Sequence, residues 1–194
     1  VMPQRVIGVI VPEFTHYSFS SILTGIEEAA EARGFRIMVA LSGEQYEREV
    51  RICENFLRSK VCGVIVSQAK DTKDYAHYQK LIDAGIPLVF YDRICTGVNA
   101  SRVVVDDYMG AYTAVSYLIE TGCKHIAFYG SPMQLEISKN RYNGYKDALL
   151  KHGMSVDKSV VIVCDNRTDA EHITPSIMAI DNPRSRSEER FSRN

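Results

Sequence analysis

The sequence has no surplus of charge of either sign: 23 Lys and Arg face 24 Asp and Glu, for a net charge of -1. Neutralising a phosphate backbone requires Lys and Arg in excess on one face, so this segment is not expected to grip DNA by itself. No apolar run approaches the roughly 20 residues that cross a bilayer, and no membrane partner is expected. Residues 1 to 5 lead straight into a strand-like run, without the charged and apolar regions of a secretion signal. The expected compartment is therefore the cytoplasm. The five cysteines, Cys53, Cys62, Cys95, Cys123 and Cys164, are odd in number and contain no CxxC pair. That excludes a disulfide framework or a zinc ribbon and leaves small buried apolar residues. His16, His77, His125, His152 and His172 lack metal-ligand spacing such as HExxH and read as structural or solvent-facing.

Catalytic motifs are missing as well. There is no GxSxG elbow, no GxxxxGK[ST] phosphate loop and no GxGxxG turn after the first strand-like run. Asp106-Asp107 is a carboxylate pair, but adjacency at the start of a helix makes capping the better account. No enzyme activity, cofactor or metal is expected.

What is present is an ordinary globular balance of 45% hydrophobic and 24% charged residues over 194 positions. That length fits one complete lobe and part of a second. Short β-branched runs alternate with longer amphipathic stretches, the pattern of a parallel sheet flanked by helices. Val6 to Val11 is apolar throughout, as a strand covered on both faces must be. Phe19, Ile22, Leu23, Ile26, Ala29 and Ala30 form a helical stripe ending at Gly34. A strand over Phe35 to Ala40 follows, then a helix from Glu44 to Ser59 with Val50, Cys53, Phe56 and Leu57 inward. Gly63 to Val66 is the third strand, Tyr75 to Ala84 a helix ending at Gly85, Pro87 to Tyr91 the fourth strand and Arg102 to Val105 the fifth. Five strands with crossover helices make a flavodoxin-like lobe over 1–105, whose crevice lies beyond the carboxyl ends of the strands.

After Val105 the pattern restarts. Asp106 or Asp107 can cap a helix with the stripe Ala111, Ala114, Val115, Leu118 and Ile119, ending at Gly122. A strand over Ile126 to Tyr129, a helix with Tyr142, Tyr145, Ala148 and Leu149 ending near Gly153, a strand over Val160 to Val163 and a helix through Ile173 to Ile180 complete a partial lobe over 106–181. Residues 182–194 hold one aromatic among charges and serines and are expected to lack packed structure.

In this order and spacing the residues resemble the effector-binding core of the LacI/GalR transcription regulators. The similarity runs through Ile7-Gly8-Val9-Ile10-Val11-Pro12-Glu13, Gly25-Ile26-Glu27, Gly63-Val64-Ile65-Val66 and Gly85-Ile86-Pro87-Leu88-Val89 with Tyr91-Asp92-Arg93. It continues through Val103-Val104-Val105-Asp106, Leu118 to Phe128, Gly130, Pro132 and Arg141-Tyr142-Asn143-Gly144-Tyr145. The resemblance implies a periplasmic-binding-protein-like fold of type I, with two lobes closing on a sugar or related metabolite. It also implies a homodimer that reaches operator DNA only through an N-terminal helix-turn-helix head absent from these residues. Carried over position by position, ligand contacts would come from Ser18 and Phe19, Ser67, Asp92, Arg141 and Asn166. Such residues suit the task, since Asp and Arg hydrogen-bond hydroxyls or carboxylates and an aromatic stacks on a flat ligand face.

The chain also departs from the family. His16-Tyr17-Ser18-Phe19 stands where the family commonly has Asn-Pro-Phe-Phe, and Pro183 meets Arg184-Ser185-Arg186 where an apolar strand should follow. The resemblance thus implies a C-terminally truncated second lobe. Simple turn chemistry for Ser67 and Asn166, a loop cap for Asp92, a core place for Phe19 and a surface ion pair for Arg141 are the competing readings. At the level of function, a periplasmic sugar-binding protein of a transporter and a flavin or nucleotide protein are the alternatives to a sensing domain.

Overall fold

The computed structural model describes residues 5–13, 17–164 and 166–178, with the side chain of Tyr17 left aside. The expectations for His16 and for the tail 182–194 lie outside the described residues. The chain divides into two compact units, Val1–Val105 and Asp106–Asn194.

In the first unit, β1 (Val6–Val11), β2 (Arg36–Leu41), β3 (Gly63–Val66), β4 (Leu88–Tyr91) and β5 (Ser101–Val103) form a parallel sheet in the order β2-β1-β3-β4-β5. Strand order reverses at β1, which pairs with β2 on one side and β3 on the other, and it is there that an open α/β sheet leaves a crevice at its carboxyl edge. The helices are α1 (Tyr17–Glu31), α2 (Tyr46–Arg58) and α3 (Ala76–Asp83). Gly34 and Gly85, just beyond α1 and α3, take the left-handed backbone that lets a helix stop. Gly8 serves close approach: a β-carbon there would stand 2.5 Å from the Phe56 ring, so α2 sits directly on β1.

Several sequence expectations need correction. The inner face of α2 is Glu49, Ile52, Cys53 and Phe56, with Val50 and Leu57 only half-buried. A buried glutamate shifted the stripe, because hydrophobicity alone assigns Glu to solvent. In α1 the packed line is Phe19, Leu23, Ile26 and Ala30, while Ile22 and Ala29 are exposed. The fifth strand ends at Val103 and leaves Val104 and Val105 exposed. Its partner β4 ends at Tyr91, and Asp92 turns away with φ 56°, so no ladder remains beyond it. Cys53 and Cys95 are buried as expected, but Cys62 is exposed, and Cys123 and Cys164 are half-buried.

In the second unit, α4 (Asp107–Glu120) and α5 (Glu136–Lys151) pack on each other beside a parallel pair, β6 (Phe128–Gly130) and β7 (Val161–Val163); α6 (Arg167–Met178) follows. Its core is Val115, Phe128, Tyr145, Ala148 and Leu149. Asp106 caps α4 by accepting from the Met109 amide, the role expected of the Asp106-Asp107 pair. Of the predicted stripe on α4 only Val115 is buried, and Ala114 and Leu118 are exposed. With two strands of sheet among the described residues, one flank of α4 has no layer to bury against. The last helix begins at Arg167, earlier than Ile173, because Asn166 caps it there.

Candidate ligand site

The carboxyl ends of β1, β3 and β4 bring together most of the predicted contacts of the first unit. Ser67 follows β3 and is fully buried; its amide donates to the Ile10 carbonyl at 3.2 Å, and its hydroxyl has no partner among the described residues. Two neighbouring buried polar atoms are in the same state, the Ser42 hydroxyl and the Gln68 side-chain oxygen. Buried polar atoms without partners cost free energy unless a water or ligand meets them. Asp92 follows β4, half-buried, with its amide donating to the Val103 carbonyl at 3.3 Å. Its left-handed φ is a conformation that an Asp holds more readily than most residues.

Phe19 lies only 4% exposed in a cluster with Val9, Val11 and Tyr91, its ring edge-on to Tyr91 at 6.5 Å. It forms part of the floor beneath the strand ends rather than an open stacking face. Ser18 is exposed on the first turn of α1. The Tyr91 hydroxyl points at the Ile10 carbonyl at 3.5 Å, and burial, with the Asp92 charge adding to it, pushes its phenol well above the ordinary range.

One arrangement here was not anticipated. Arg93 places Nη1 at 2.7 Å from both carboxylate oxygens of Glu44, with the side chains 16% and 14% exposed, and its guanidinium lies 6.0 Å from the centre of the Phe19 ring. Glu44 also accepts from the Lys70 amide at 2.9 Å, and the Gln68 amide donates to the Arg93 carbonyl at 3.1 Å. The loops after β2, β3 and β4 are thereby tied to one another. The signal was present in Asp92-Arg93 at a strand end, but its partner Glu44 lies 49 residues away in sequence. No local pattern gives that distance.

In the second unit Arg141, on α5, donates from Nε to Asp107 at 2.8 Å, with the arginine 51% exposed and the aspartate 9%. Asn166 follows β7, is exposed, and accepts from the Asp169 amide at 2.9 Å. A cavity of about 400 Å³ opens elsewhere in this unit, before the amino ends of β6 and β7, lined by Lys124, His125, Tyr145, Met154 and Asp157. None of the predicted contacts reaches it. No group of three or more His, Cys, Asp or Glu suited to a metal occurs among the described residues.

A parallel sheet with its strand order reversing at β1, and polar groups gathered at its carboxyl edge, is the arrangement in which open α/β units bind small molecules. Comparison with known proteins gives the family. Residues 4–184 match the family described as periplasmic binding proteins and the sugar binding domain of the LacI family, and the chain belongs to it. Catabolite control protein A of Priestia megaterium is 27% identical over 165 residues, 84% of this chain and 49% of that protein. The chain spans about half the length of the curated relatives it matches. Among solved structures, the Cra transcriptional dual regulator of Pseudomonas putida, in complex with fructose 1-phosphate, superposes with a TM-score of 0.80 at 22% identity, covering 90% of this chain and 64% of that one. The cellobiose complex of the transcriptional regulator CelR gives 0.72 at 28% identity, covering 88% and 56%.

Proposed function

We propose that this chain is the ligand-sensing part of a LacI-type transcription repressor, binding a small metabolite of the sugar class and thereby modulating operator binding. The observation that carries the reading is the collection of Ser67, Asp92 and the linked loops at the carboxyl edge where strand order reverses, within a family that the sequence matches over most of its length. CelR, at 28% identity, is a regulator with a bound sugar, which favours that ligand class here. DNA contact is assigned to a helix-turn-helix head outside these residues, the working unit is a homodimer, and the setting is the cytoplasm. No helix among the described residues is long and apolar enough to cross a membrane. Relatives named as regulators support a non-catalytic role and lend nothing to the transporter reading.

Sensing requires that the ligand favour one arrangement of the protein over another. The contacts assigned to it are Ser18, Ser67 and Asp92 from the first unit, with Phe19 as packed floor, and Arg141 and Asn166 from the second. The test is a thermal-shift screen against pentoses, hexoses, sugar acids and nucleobases, with Arg141→Ala alongside. Arg141 is half exposed, so its ion pair with Asp107 contributes about 1 kcal/mol or less to folding. A compound that raises the melting temperature of the parent and not of the variant supports the reading, since stabilisation tracks ligand concentration over Kd. A sharp melt that no compound moves counts against it.

A further inference from the structure

Glu44 is held in a backbone conformation that its side chain does not favour. Gly43 and Glu44 both have φ 62°, in the left-handed region, which is free to glycine and costly to glutamate. Such strain persists where surrounding contacts determine it. The contacts are the ones described above: two oxygens on Arg93, and one of them on the Lys70 amide. Arg93 stands two residues past the end of β4 at the carboxyl edge, and Glu44 occupies it with both oxygens. Arg102, within β5, turns instead to the carbonyls of Cys95 and Val98. An arginine at a ligand crevice ordinarily favours phosphate or carboxylate. Here both oxygens of Glu44 already stand on its Nη1 and offset its charge from within. An anionic ligand would have to expel a part-buried carboxylate of like charge, and gains no long-range attraction from a pair whose sum is zero.

We propose, resting on the sensing role above, that Glu44 is a specificity-determining residue: by holding Arg93 it makes the first unit select a neutral polyhydroxyl ligand against phosphorylated or carboxylated ones. It acts through Arg93 and through the loop at Lys70, and need not touch the ligand itself.

The experiment titrates inorganic phosphate against chloride at constant ionic strength, read by thermal shift and by phosphorus NMR line width, for the parent, Glu44→Gln, Glu44→Asp and the double variant Glu44→Gln with Arg93→Gln. Glutamine retains an acceptor for the Lys70 amide but no charge for Arg93. The expected result is phosphate binding at least about tenfold tighter in Glu44→Gln than in the parent, absent in Glu44→Asp and lost in the double variant. A Glu44→Gln protein that folds and gains no phosphate affinity overturns the proposal, as does a gain that survives removal of Arg93. Should Glu44→Gln not fold, the parent still decides: phosphate binding that Arg93→Gln abolishes overturns the proposal, and none supports it. The sensing role fails separately, through the sugar screen, because the phosphate gain in Glu44→Gln does not depend on which metabolite the protein recognises.

Discussion

Glu49 and His77 meet inside the first unit with Oε1 2.9 Å from Nε2, and both side chains are shut off from solvent. The same carboxylate accepts from the Ala69 amide at 2.7 Å and the Thr72 hydroxyl at 2.9 Å, and Tyr46 and Tyr78 pack on the imidazole. A carboxylate on the inner face of α2 is therefore the peg on which the loop after β3 hangs. Ser67 begins that loop. The pair links the core to the candidate site.

Removing one member of a buried, hydrogen-bonded pair leaves the other without compensation, at a cost of about 3 to 5 kcal/mol. Glu49→Ala is expected to lose stability in that range by urea unfolding. His77→Ala should lose less, about 2 kcal/mol, because Ala69 and Thr72 still satisfy the carboxylate. Equal losses in both variants would show that the histidine, rather than the loop, carries the network.

The second unit depends on close approach of two helices. A β-carbon on Gly144 of α5 would run into the Tyr108 carbonyl oxygen and press on the Tyr112 amide of α4. Both neighbours are backbone and cannot rotate away. Gly144→Ala is expected to cost about 3 kcal/mol, at the upper end for overpacking, with amide exchange accelerated in α4 and α5. Gly110, whose added β-carbon would meet nothing within 4 Å, gives the control, since alanine there should stabilise α4 by about 0.5 to 1 kcal/mol. The idea fails if the two substitutions have the same effect.

The cysteines should separate by access. Burial pushes the Cys53 thiol far up, and burial raises Cys95 as well, which removes the thiolate that reacts. Cys62 is exposed, with its sulfur 3.1 Å from the Val6 carbonyl. An aromatic disulfide reagent at mildly alkaline pH is expected to label Cys62 first, and Cys53 and Cys95 only on unfolding. Cys62→Ser should erase the fast phase; its persistence would place the accessible thiol at Cys123 or Cys164.

The strands and helices were legible because period and punctuation agree: β1 and β3 begin and end where their apolar runs do, and Gly34, Gly85, Gly122 and Gly153 all adopt the left-handed turn after a helix. What sequence could not show was charge placed against pattern. Glu49 lies on an apolar face, and only His77, 28 residues on, makes it tolerable there. Arg93 looks like a solvent residue until Glu44 closes on it. Ser67, Asp92 and Phe19 were found through family resemblance and do gather at one sheet edge, but the burial of the Phe19 ring is a packing outcome. The i, i+4, i+7 spacing that suggested its place on α1 is the same for a core residue and for a ligand contact.

Asn166 allows the sharpest separation of ligand contact from local structure, because the cap it makes and the ligand contact proposed for it use opposite ends of one amide. Its oxygen caps α6 at the Asp169 amide, while its NH2 group is the end that would donate to a ligand. Serine keeps a good capping oxygen and has no such amide donor. Asn166→Ala should lower stability by about 1 kcal/mol as the cap is lost, whereas Asn166→Ser should melt close to the parent in the absence of ligand. The decisive quantity is then the shift produced by whichever sugar stabilises the parent. If Asn166 touches the ligand, the serine variant keeps the parent's melting temperature and loses most of that shift. If the residue only caps, serine retains both, and the second-unit side of the candidate site reduces to Arg141, held toward Asp107.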